Sequence, residues 1–202
     1  MSIEQKVAAV EALFQKLDSE IAVFQEQTKL GCIAGCGKCC AHPEIDASPL
    51  EFLPWAFYLF VNGQAEKVLD DLATSTYNTC FIYNPKSLLQ LEKGTCSAYK
   101  YRGLICRLFG YGANKNKYGN LRLATCTIIK EGQKETYDAS TTMINNGLYV
   151  PVLTDYYMNL NQIDFHLGNI VIPINEALKR AIEEVLQYYA YRPMPDGHID
   201  CA

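Results

Sequence analysis

Four cysteines fall within nine residues, in the run Cys32-Ile33-Ala34-Gly35-Cys36-Gly37-Lys38-Cys39-Cys40. The chemistry open to such a cluster is metal ligation, because a thiolate is a soft, strong ligand for zinc and for iron–sulfur clusters. Spacings of two and three residues let a chain turn back onto one metal. Gly31, Gly35 and Gly37 supply the backbone freedom such turns need. A buried structural cysteine usually stands alone, so four this close point to ligation over core packing.

Cys80, Cys96, Cys106, Cys126 and Cys201 bring the total to nine, an odd number that counts against a full disulfide framework. The three histidines, His42, His166 and His198, are too few to dominate a site, so any metal is held mainly by sulfur. His42 is expected beside the site or at the surface, and Cys201 as a free thiol in the tail. No phosphate-binding glycine loop, nucleophile elbow or His-Glu-x-x-His pattern occurs.

Charge is uneven. From Lys93 to Lys130 there are eight basic residues and no Asp or Glu, while the remainder holds ten basic and twenty-two acidic residues. Within the window, Arg102 and Arg107 are expected to offset anionic thiolates, since nearby cations lower thiol pKa values and favour metal loading. Lys115, Lys117 and Arg122 lie on or near a predicted hairpin tip, free to reach a partner or simply solvated. The net charge of −4 argues against general nucleic-acid affinity.

The cysteine pattern resembles the CxxCxxCC family of zinc- or iron-chelating domains. Its opening cluster is matched by Cys32, Cys36, Cys39 and Cys40, with Gly37 after the second cysteine. A later stretch is matched by Cys96, Tyr99, Arg102, Cys106, Arg107 and Phe109, with Cys80 ahead of it and Cys126 closing the set. The resemblance covers about residues 32–126 and implies eight ligand positions, with Cys201 left over. Two departures stand out: the first spacing is three residues instead of two, and Gly103 replaces the family's usual proline, which predicts a looser turn. Eight thiolates can fill two tetrahedral zinc sites, with the adjacent Cys39 and Cys40 serving different metals. A single four-iron, four-sulfur cluster (4Fe–4S) with three or four cysteines is the close alternative. Zinc is slightly favoured, because Cys-Gly-x-Cys knuckles suit tetrahedral zinc. A similar module in flagellin lysine N-methylases implies, as another alternative, a redox or methyl-transfer role. The Cys32/Cys36/Cys39 spacing also matches radical S-adenosylmethionine enzymes, but Lys38 replaces their usual aromatic and no β/α series follows.

The elements that must position these residues are mostly helical. Ser2 and Gln5 form a capping-box pattern, and Ile3, Val7, Val10, Phe14, Leu17, Ile21 and Phe24 make a heptad-like stripe over about 3–28. The stripe packs on the body or forms a homodimer seam. Ser48-Pro49-Leu50-Glu51 starts a helix running to about Asn62, with Pro54 able to distort it. Further elements are a helix at 64–73, a short strand at 88–91, and a hairpin from strands 108–113 and 121–125. Helices follow at 134–146, after Pro151, and at 174–189.

The expected whole is a single domain of α+β class, mainly helical, with helices around a small cysteine-rich metal core and a short β-hairpin. It comprises an amphipathic helix (1–30), the metal-binding core (32–126), C-terminal helices (127–191) and a flexible tail (192–202). With no leader and no apolar run near ~20 residues, a reducing cytoplasm is the expected location. The expected function is a monomeric or dimeric metal-binding protein, or a zinc-stabilised adaptor for a protein partner.

Overall fold

The first helix is dictated locally. In the computed structural model, which describes residues 1–33, 35–75, 79–87 and 93–195, α1 (Ile3–Thr28) opens on a complete capping box. The Gln5 N–H donates to Ser2 Oγ at 3.2 Å and the Ser2 N–H to Gln5 Oε1 at 3.0 Å. The helix closes at Lys29, whose φ of 58° places its N–H on the Gln25 carbonyl at 2.8 Å. Every residue of the predicted stripe, Ile3 through Phe24, is buried.

The remaining elements, in order, are β1 (Asp46–Ala47), α2 (Leu53–Val61), α3 (Ala65–Thr74), β2 (Tyr83–Pro85), β3 (Gly94–Cys96), α4 (Leu104–Leu108), β4 (Ala113–Lys115), β5 (Leu121–Leu123), α5 (Thr127–Gly132), α6 (Lys134–Asn145), α7 (Leu153–Ile163), α8 (Phe165–Gly168), β6 (Ile172–Pro173) and α9 (Ile174–Tyr189). The chain is thus mainly helical α+β. Its described strands form antiparallel pairs: β1 with β6, β2 with β3, and β4 with β5. The described residues contain no wound parallel sheet of the kind a radical S-adenosylmethionine enzyme needs.

Three expectations need correction. The helix predicted from Pro49 begins as a 3-10 turn, Pro49–Phe52, and becomes α-helical at Leu53. Pro54 explains the break, since its ring would collide with the carbonyl four residues back in a continuous α-helix. The first hairpin strand was expected at 108–113, but Leu108 ends α4 and the strand starts only at Ala113. The N–H groups of Tyr111 and Gly112 donate to the Leu108 carbonyl at 3.0 and 2.6 Å, and Gly110 turns the chain at φ 100°. The orphan carbonyls at a helix end therefore consume the residues expected to be strand. The homodimer seam is the third correction. The α1 stripe is covered by α2, α4, α6 and α7 of the same chain, so it is not open to a second copy. The strand expected at 88–91, and the tail with His198 and Cys201, lie outside the described residues.

The main core joins α1, α2 and α9, with Ile174, Ala177, Leu178, Ala181, Ile182, Val185 and Tyr189 of α9 all buried. A second core lies under the hairpin and contains Phe24, Leu30, Ala113, Ile129, Ile144 and Val150. Each large buried side chain contributes ~1.5–3 kcal/mol, so this helical frame has substantial stability of its own. Tyrosine hydroxyls add polar ties: Tyr149 and Tyr156 both donate to Glu20 on α1 at 2.6 Å. Among the described residues, no helix is long and apolar enough to cross a membrane.

Glu51 connects this frame to the cysteine region. Its carboxylate is fully buried and accepts from Ser48 N–H at 2.8 Å and Ser48 Oγ at 3.2 Å. It also accepts from Ile105 N–H at 3.0 Å, at the start of α4. The capping-box glutamate of one helix therefore caps a second, the one that carries Cys106 and Arg107. A Cβ on Gly103 would stand 2.8 Å from the Phe52 ring and 2.9 Å from Glu51 Oε2, so this turn is tight, not loose as expected. Glu51→Ala is expected to cost about 3 kcal/mol, since it strands two backbone N–H groups at ~1–3 kcal/mol each. Urea unfolding would measure it, and a loss under about 1 kcal/mol would contradict the double-cap role.

Candidate metal centre

The segment 31–47 is pinned at both ends and held in between by few bonds. Leu30 is buried in the second core and Ala47 in the main core. Gly31 N–H donates to Gln133 Oε1 at 3.3 Å, and Cys32 N–H to the Tyr111 hydroxyl at 2.9 Å. Gly35, at φ 74°, turns the chain toward β3, where Cys36 makes a single antiparallel bridge to Lys93. One turn follows, with Ala41 N–H on the Gly37 carbonyl at 2.9 Å and His42 N–H on the Cys39 carbonyl at 3.3 Å. Cys80 N–H then reaches the Cys40 carbonyl at 3.3 Å.

Tyr83 on β2 locks this arrangement. A Cβ on Gly37 would lie 1.9 Å from the Tyr83 hydroxyl oxygen, and one on Gly94 would lie 2.7 Å from its ring. At Gly37 the tyrosine occupies the space a side chain would need, and at Gly94 the Asn84 carbonyl and the tyrosine ring fill it together. Cys96 sits opposite Tyr83 in the β2–β3 register. Cys106 lies in α4, and Cys126 precedes the first residue of α5.

All eight described cysteines are free of disulfides. Cys32 and Cys39 are exposed, Cys80 is buried, and Cys36, Cys40, Cys96, Cys106 and Cys126 are half-buried. Cys39 and Cys40 touch, Sγ to Sγ, at 4.0 Å. The thiols are close enough to oppose one another's ionisation. Burial raises Cys32, and the charges of Cys36, Cys39 and Cys126 raise it further. Burial pushes Cys80 up to about 11, with Cys96 and Cys39 adding to the shift. Burial likewise raises Cys106, helped by Cys80, Glu51 and Cys39. In the Cys39–Cys40 pair the mutual hydrogen bond dominates, lowering Cys39 and raising Cys40, which also feels Cys106 and Cys80. These influences link all eight thiols in one electrostatic network that runs through Cys39.

Connection is not coordination. Among the described residues, no three Cys, His, Asp or Glu side chains are gathered so as to hold one metal ion between them. Thiolates repel and converge only around a cation that offsets their charge. The donor set, sulfur throughout and free of disulfides, suits zinc or iron chemically. His42 does not join it; its Nδ1 accepts from Glu44 N–H at 3.2 Å.

The two arginines part company. Arg102 acts on the patch, its charge lowering Cys39, Cys96 and Cys106 against the other influences. Its guanidinium lies 3.7 Å from the centre of the Tyr99 ring, and its Nε is buried without a hydrogen-bond partner. That N–H is available to a sulfur acceptor. Arg107 is buried and committed elsewhere. It pairs with Asp18 of α1, donates to the carbonyls of Arg102 and Lys100 at 3.0 and 2.6 Å, and stacks on Phe14 at 4.6 Å. The sequence placed both beside the thiols; the structure makes Arg107 a strut between the Lys100–Arg102 segment and α1. Sequence reading also missed Tyr83 and the second role of Glu51. The only signals were Gly37 and Gly94 around the tyrosine, and the Ser48–Glu51 capping pattern for the glutamate.

No curated protein and no solved structure matches the chain. A family model does match, over residues 31–127, and its description reads "CxxCxxCC: Putative zinc- or iron-chelating domain". The matched segment opens just before Cys32 and closes just after Cys126, so it spans the whole thiol patch. Residues 31–127 thus match the model of the CxxCxxCC family, a zinc- or iron-chelating domain.

Proposed function

We propose that this protein is a cytoplasmic zinc protein whose eight cysteines hold two metal ions, divided at the Cys39–Cys40 step. The observation that carries this reading is eight cysteines free of disulfides and linked electrostatically to one another. Cys32 feels Cys36, Cys39 and Cys126. Cys40 feels Cys106 and Cys80, and Cys80 feels Cys96. Cys39 also acts on Cys80 and Cys106, so the division is a proposal at the Cys39–Cys40 step: Cys32, Cys36, Cys39 and Cys126 form the first set, and Cys40, Cys80, Cys96 and Cys106 the second. Adjacent residues direct their side chains apart, which lets neighbouring cysteines serve different sets. Zinc would supply a fixed tetrahedral cross-link between distant segments. Arg102 lowers the cost of deprotonating Cys39, Cys96 and Cys106, so its role is to favour loading.

Elemental analysis with acid-labile sulfide, on freshly isolated protein, tests the reading. Two zinc per chain and no sulfide are expected. Each of Cys36→Ser and Cys96→Ser should then lose one zinc and keep the other. Iron with sulfide would replace this reading by the iron–sulfur one, with its redox or methyl-transfer chemistry. Loss of both ions from either variant would argue for a single shared centre.

A further inference from the structure

The net charge of −4 averages over a surface that is locally basic. The β4–β5 hairpin stands over the second core through Ala113, Leu121 and Leu123, and its far end projects Lys115, Lys117, Tyr118 and Arg122. All four are exposed, Tyr118 by 76 %. None of the three cations has an ion-pair partner among the described residues. Hydrogen bonds close the tip. Asn116 Oδ1 accepts from Tyr118 N–H at 2.9 Å and Asn120 N–H at 3.0 Å, and Asn116 N–H donates to the Asn120 carbonyl at 2.9 Å.

Aromatic faces are interleaved with these charges. Lys117 Nζ lies 4.9 Å from the centre of the Tyr118 ring. At the hairpin base the Gly110 N–H donates to the Ala124 carbonyl at 2.7 Å, which brings the exposed Phe109 alongside. Elsewhere in the basic window Tyr99 is 63 % exposed, with the Arg102 guanidinium 3.7 Å from the centre of its ring. No carboxylate interrupts the window from Lys93 to Lys130.

We infer that this face binds single-stranded nucleic acid, with phosphates on Lys115, Lys117 and Arg122 and a base stacked on Tyr118. Unpaired cations meet phosphate oxygens, and exposed ring faces accept unpaired bases of any sequence. The remainder of the molecule, with twenty-two acidic and ten basic residues, is net acidic and repels a long duplex, which favours a short single strand on the basic face. An acidic protein would use the cations but gives no role to the rings. The inference stands independently of which metal the thiols hold.

Fluorescence anisotropy of a labelled oligouridine RNA with the full-length protein tests this. Three neutralised phosphates predict that log K falls against log salt with a slope of about −2. Replacing Lys115, Lys117 and Arg122 together by Glu should abolish binding, and Tyr118→Ala should weaken it about tenfold, while each variant keeps its helical circular dichroism. Arg180→Glu, a single charge reversal of the same kind outside the window, should leave affinity within about twofold. No binding at low salt with about 100 µM protein would overturn the inference. So would an equal loss in Arg180→Glu, indifference to Tyr118→Ala, or binding to anionic phosphatidylglycerol vesicles in place of RNA.

Discussion

Removing bound metal under reducing conditions is expected to lower the melting temperature by roughly 10 °C, with the helices largely retained. The thiol patch draws on segments from Cys32 to Cys126, and few main-chain bonds tie them together. Small zinc fingers owe ~10 kcal/mol to their metal, but here the main core is built chiefly of aliphatic and aromatic side chains from α1, α2 and α9, with Cys80 as its one buried cysteine. A loss of about 3–5 kcal/mol follows, at ~2–4 °C per kcal/mol for a chain of this size. The stripped protein should also respond to pH. Cys80 is pushed up to about 11 by burial, and Cys32, Cys96 and Cys106 are raised for the same reason. A raised thiol stabilises the fold fully below its ordinary pKa and loses that contribution as pH climbs through the folded value. Stripped protein should therefore weaken between about pH 9 and 11. Loaded protein, with its ligands already deprotonated, should hold through that range and instead release metal on acidification. Thermal melts across pH, with and without a strong chelator, would decide. An unchanged melting temperature after verified metal loss would mean the thiols do not brace the fold.

Arg107→Ala should destabilise the protein by about 3 kcal/mol and leave the metal content of folded material unchanged. The buried guanidinium bonds to Asp18, to two backbone carbonyls and to the face of Phe14. Its removal strands those acceptors, and bonds to a charged group are worth ~1.5–3 kcal/mol. Arg102→Ala should do the reverse. It should alter unfolding by less than about 1 kcal/mol but weaken metal retention ~10–100-fold, the usual effect of removing a group that supports metal ligands from outside. Competition with a chromophoric chelator, set beside urea unfolding, separates the two variants. Equal loss of metal affinity in both would return Arg107 to the thiols and contradict its placement against α1.

Much of the molecule was legible because its causes are local. The Ser2–Gln5 capping box and the alternating stripe predicted α1 to within a residue, and Pro173 with the Ile174–Tyr189 periodicity did the same for α9. The cysteine-rich segment was identifiable from residue type and spacing, and the family match over residues 31–127 spans it. What the sequence could not decide was partnership across distance. The α1 stripe reads the same whether it meets its own chain or a second copy, and only packing against α2 and α7 removes the seam. Arg102 and Arg107 lie five residues apart and look equivalent as charges, yet the short α4 helix carries Arg107 to Asp18 and leaves Arg102 among the thiols. Leu108–Gly112 has strand-like composition, but the end of α4 needs those N–H groups to satisfy its carbonyls. Glu51 announced itself as a cap for its own helix, and only the approach of Ile105 gave it a second. Local hydrogen-bonding and periodicity thus belong to the sequence, while the direction of each charge belongs to the tertiary structure, because direction depends on which distant backbone arrives beside it.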